Sequence, residues 1–126
     1  MDPDLERALQ PVLADLRATG APVPRIEDDD WTGDAGRPGA LLWSPDGSGR
    51  GVAVHRDRPL AEQVVDAADQ VQEWAVEELW RSAPTNWPRC SHHPTTHPLA
   101  ARLQGGVAWW VCLHDGGAVS EVGSLR

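Results

Sequence analysis

Both cysteines of this chain and four of its five histidines fall between Cys90 and His114: Cys90, His92, His93, His97, Cys112 and His114. Thiolate sulfur and imidazole nitrogen are the donors that zinc draws into a tetrahedron, so this window reads as a metal site. A shared ion would lock the segments that carry its ligands to one another, which restricts the fold here more than local propensity does.

The elements around the window follow from periodicity. Leu5, Leu9, Val12, Leu13 and Leu16 recur at helical spacing and predict an amphipathic helix over 4–18. Asp2-Pro3 marks its start and Gly20 its stop, while Pro11 inside the pattern predicts a kink or a break into two short helices. Residues 21–39 are rich in Pro, Gly and Asp and read as a long connection with one short strand around Ile26. The apolar runs 40–43 and 51–55 flank Pro45-Asp46-Gly47-Ser48-Gly49, a hairpin signal that leaves His55 as a partly exposed strand-end histidine. Residues 59–82 form the strongest helix, with Pro59 in its first turn and Leu60, Val64, Ala67, Val71, Trp74, Ala75 and Leu79 on one face. Glu77 is spaced to pair with Arg81, and Ala83-Pro84 ends the helix.

The register of the C-terminal third follows from one turn. Gly105-Gly106 suits a two-residue hairpin, which makes Gln104 face Val107, Arg102 face Trp109, Leu99 face Cys112 and His97 face His114. Alternation then sets His97, Leu99, Ala101, Leu103, Trp110, Cys112 and His114 on one face, with three candidate ligands at its open end. Cys90-x-x-His93 has the spacing of a metal knuckle that folds back over this end. His114-Asp115-Gly116-Gly117 is a second turn, with Asp115 as a turn residue, and 118–122 a third strand. The expected ligands are Cys90, His93, His97 and Cys112, with His114 and His92 as alternates. A disulfide, redox sensing by the two cysteines, and a metal with an open position beside a spare histidine base remain open.

These residues resemble a zinc ribbon, a small β-meander in which a knuckle near one strand and ligands on the next share one zinc. The stretches Trp87-Pro88-Arg89-Cys90, His97-Pro98-Leu99, Trp110-Val111-Cys112 and Glu121-Val122-Gly123-Ser124-Leu125 are also similar to the tails of small uncharacterised actinobacterial proteins. The resemblance implies a zinc-held C-terminal module and no particular activity. Two cysteines stand where a ribbon carries four.

The expected fold is α+β: an N-terminal helix, a β-hairpin, a long amphipathic helix, and a C-terminal three-stranded zinc-ribbon-like meander. We read 1–126 as a single domain, with a helix-hairpin-helix part over 1–84 and the Cys/His meander over 85–126. Lys, Phe and Tyr are absent and Ile and Asn occur once each, a bias of a GC-rich genome that leaves seven Trp to supply the aromatic bulk of a core or interface. The formal net charge of −8, with acids clustered at Glu27-Asp28-Asp29-Asp30, disfavours nucleic acid. That acidic run reads as a solvated loop before a Ca²⁺ or basic-partner site. With no membrane span and no signal-peptide pattern, the expected compartment is the cytoplasm, where paired cysteines are thiols or metal ligands. The function expected is a zinc-stabilised, non-catalytic interaction or regulatory module with a protein partner and enough aromatic surface for a homodimer. The alternative is a small zinc-dependent hydrolase.

Overall fold

The first helix is set at its N-terminus by Asp2, whose Oδ1 accepts from the backbone N–H groups of Asp4 at 2.9 Å and Leu5 at 3.2 Å. This cap satisfies donors that a helix cannot satisfy internally. In a computed structural model, which describes residues 1–80, 86–94 and 97–126, helix α1 spans Pro3–Ala18. It runs through Pro11 as one helix and does not divide into two. The reason lies in its buried stripe: Leu5, Leu9, Val12 and Leu16 are all fully buried on both sides of the proline. Packing of that stripe against the second helix outweighs the one backbone bond that Pro11 cannot make.

Three strands follow: β1 (Arg25–Asp28), β2 (Gly39–Trp43) and β3 (Gly49–Ala53). They form an antiparallel sheet in the order β1-β2-β3, so the short strand at Ile26 joins the expected hairpin as its third member. β3 stops at Ala53, which leaves His55 beyond the strand, where its carbonyl accepts from Gln63 Nε2 at 2.8 Å. Ala40, Leu42 and Val52 face the core from this sheet. On its other face the Trp31 ring lies so close to Gly51 that a β-carbon there would meet it at 2.7 Å. The indole N–H donates to the carbonyls of Ala40 and Val52, at 3.1 and 3.2 Å.

Helix α2 spans Leu60–Leu79 and packs on α1, on β3 and on the C-terminal strands. The predicted continuation to residue 82, the Glu77–Arg81 pair and the Ala83-Pro84 stop lie outside the described residues. A second antiparallel sheet, separate from the first, contains β4 (Ala100–Gln104), β5 (Val107–Val111) and β6 (Ala118–Glu121) in that order. The fold is therefore α+β with a C-terminal three-stranded meander, as the sequence pattern implies. Gly105 and Gly106 have φ of 60° and 77°, the left-handed pair that a type I′ hairpin turn requires. The register they set is the expected one: Gln104 opposite Val107 and Arg102 opposite Trp109.

One hydrophobic cluster joins these layers, running from Leu9 and Leu16 through Val71 and Trp74 to Trp87, Leu99 and Trp110. The tryptophans divide by position. Three of the seven, Trp74, Trp87 and Trp110, are buried and supply the core, Trp43 and Trp109 are partly covered, and Trp31 and Trp80 are exposed. No helix among the described residues is long and apolar enough to cross a membrane.

The Asp2 cap also makes stability depend on pH. Arg56 Nη2 lies 2.8 Å from Asp2 Oδ2, and this guanidinium, aided by the Leu5 and Asp4 N–H groups, holds the Asp2 carboxyl below its usual range. In acid the unfolded chain takes up this proton before the folded one does. The stabilisation is therefore complete above about pH 4 and is lost as pH falls through the lowered folded value. Asp2→Ala is expected to cost about 1 kcal/mol at neutral pH and to flatten this part of the acid limb. Urea unfolding across the acid range measures both effects.

Candidate metal centre

The path of the chain into the Cys/His window is fixed by backbone bonds. Trp87–Pro88 is a cis peptide, the Leu99 N–H donates to the Pro88 carbonyl at 2.7 Å, and Arg89 bridges to Pro98. From α2, the buried Gln72 reaches across and donates its amide N–H groups to the carbonyls of Trp87 and Leu99. The two segments that lead to the cysteine knuckle and to β4 are thereby clamped to the helix.

Cys90 opens a tight turn closed by the His93 N–H, which donates to the Cys90 carbonyl at 3.1 Å. The turn brings Cys90 Sγ to 3.6 Å from His93 Nδ1. Cys112 arrives from the end of β5. Its N–H donates to Gly117 at 2.9 Å and its carbonyl accepts from Gly116 at 2.8 Å, so a compact turn holds it on both sides. Cys112 Sγ then lies 3.6 Å from His93 Nδ1 and 3.8 Å from His97 Nε2. His97 Nδ1 is 2.9 Å from the Pro98 carbonyl, to which it donates, and this leaves the Nε2 lone pair directed at the cluster. One donor atom from each of Cys90, His93, His97 and Cys112 lies within 4.8 Å of the other three. Both cysteines are buried and both histidines partly so.

The four residues gathered are those of the expected set. The two alternates are placed differently. β5 ends at Val111, and the turn that grips Cys112 leaves His114 exposed, so the predicted His97–His114 and Leu99–Cys112 strand pairs do not form. The His114 ring instead lies against the His93 ring, 4.9 Å between centroids. His92 is exposed, with its ring 6.3 Å from that of His93. Asp115 acts as a turn residue: its Oδ1 accepts from the Gly117 N–H at 2.7 Å. That bond is the main reason its carboxyl titrates below the usual range, with smaller help from Cys112, His92 and His93.

Two supporting residues escaped the sequence reading. Gln72 is one, and its only signal is a polar residue between Val71 and Trp74 on the buried face of α2. Asp15 is the other. It is fully buried, and its carboxyl accepts from Trp110 Nε1 at 2.7 Å, Gly123 N at 2.7 Å and Leu125 N at 2.9 Å. It ties α1 to β5, just ahead of Cys112, and to the tail beyond β6. The signal was an acid three residues after Val12, on the edge of the apolar stripe.

The arrangement offers two soft sulfur and two imidazole donors converging from three segments, a group that can hold a metal ion. No family model, curated protein or solved structure matches this chain.

Proposed function

We propose that this chain is a zinc-stabilised, non-catalytic module for protein interaction, in which the ion holds the C-terminal meander together. The convergence of the four donor atoms carries this reading. Zinc with sulfur at about 2.3 Å and nitrogen at about 2.0 Å in a tetrahedron needs S···N edges of about 3.5 Å. Three of the four S···N separations here are 3.6, 3.6 and 3.8 Å, and the fourth, between Cys90 and His97, lies within 4.8 Å. Charge agrees as well, because two thiolates neutralise a divalent cation, which suits sulfur atoms removed from water. Four protein donors fill a tetrahedron, the closed arrangement of structural zinc.

The C-terminal sheet has reason to need such a clamp. Its strands are four or five residues long, and an isolated sheet of that size has little area to bury. The alternative, a hydrolase, requires a metal with three protein ligands and a water. X-ray absorption at the zinc edge separates the two. The proposed module gives two sulfur neighbours at about 2.3 Å and two nitrogen neighbours at about 2.0 Å. A shell with a light-atom neighbour that exchanges with added thiocyanate would mean an open position and would count against the closed site.

A further inference from the structure

An exposed groove runs along the solvent side of α2 toward its C-terminal end. It has a volume of about 550 Å³ and its lining includes Asp69, Glu73, Val76, Glu77 and Trp80, with Arg50 of β3 on the rim. Trp80 is 76% exposed, the most exposed large apolar side chain among the described residues. A bare indole beside Val76 gives the groove an apolar floor at one end. The walls carry three carboxylates against one guanidinium, and Arg50 is already engaged by Glu73 at 2.8 Å and Glu77 at 3.3 Å. The groove therefore keeps a net negative charge on a chain whose formal net charge is −8.

We infer that this groove docks a basic segment of a partner protein, with an Arg or Lys over Trp80 and further cations against Asp69, Glu73 and Glu77. The inference rests on the interaction reading above and names the chemistry of the partner. A cation over an indole face and paired carboxylates is favoured by the ring quadrupole and by Coulomb attraction together. A second copy of this chain would bring one acidic groove against another acidic surface, which the charge disfavours.

The test is a fluorescence-anisotropy titration of a dye-labelled peptide of alternating Arg and Leu. The protein is first confirmed by mass to carry its metal, so a failure of the zinc reading is recorded before any peptide is added. Saturable binding is expected, weakened about tenfold by Trp80→Ala and about tenfold by the pair Glu73→Gln, Glu77→Gln. The pair Asp29→Asn, Asp30→Asn, an equal charge change elsewhere, should alter affinity by less than about twofold. Glu73, Glu77, Trp80 and Asp30 are exposed and Asp29 is partly buried, and none lies in the core, so the variants are expected to fold. Absence of binding, or equal weakening by both pairs, overturns the groove as a specific site. So does sedimentation as a dimer that Trp80→Ala dissociates, because the occupant would then be a second copy.

Discussion

Changing Cys112 to alanine is expected to end stoichiometric metal binding and to lower the unfolding free energy by on the order of 5 kcal/mol or more. The sulfur is buried and faces both histidine donors, so its loss removes one of only two thiolates from the centre of the donor group. Binding energy of a structural zinc is folding energy, because the unfolded chain has no preformed site. Thermal unfolding with zinc present should show the variant melting far below the parent and no longer responding to a chelator. His114→Ala is the matched comparison. His114 is exposed and lies outside the donor group, so that variant should keep its metal and its chelator response. A His114→Ala protein that loses metal while Cys112→Ala keeps it would mean that the ligand geometry is wrong.

Asp15→Ala is expected to be the most damaging substitution away from the cysteines and histidines, at roughly 3–5 kcal/mol. It strands three N–H donors at once. Trp110 is fully buried and bears the whole penalty, whereas Gly123 is exposed and can recover a bond to water. Asp15→Asn should cost less, roughly 1–3 kcal/mol. Its single side-chain oxygen can still serve Trp110 and Gly123, but its amide would then confront the Leu125 N–H, which now bonds Oδ1. Urea unfolding of the metal-loaded variants gives both values, and hydrogen exchange should report early loss of protection at residues 122–125. A cost for Asp15→Ala no larger than the ~0.5 kcal/mol of an ordinary surface change would mean that this carboxyl does not hold the tail to α1.

What the sequence made legible was governed by local rules. Helical spacing located α1 and α2 to within a residue or two at their starts, since an apolar stripe is a property of the segment itself. Gly105-Gly106 was informative beyond its size, because one turn type determines every pair along β4 and β5. Extending that register to His97 and His114 failed at Cys112, where the turn to Gly117 ends the strand. Of the kink or break that Pro11 suggested, the break does not occur, for the opposite reason: a local penalty was overridden by long-range packing. The pairing of β1 with β2 across the Asp-rich connection, and the grip of Asp15 on residues about a hundred positions away, are long-range facts with little local signature. The four residues of the donor group are those that the sequence put first, with His114 held as substitute for His97. C-x-x-H spacing singled out Cys90 and His93, whereas the choice of His97 over His114 depended on where β5 stopped.

The most direct test of the proposed zinc module is native mass spectrometry of the protein prepared without a metal-binding tag, compared with the mass of the denatured chain. The structure leads us to expect one zinc per chain, retained by the parent and absent from Cys90→Ser and Cys112→Ser. A metal-free protein lighter than the reduced chain by the mass of two hydrogens would mean that Cys90 and Cys112 form a disulfide, and would contradict the account at its centre.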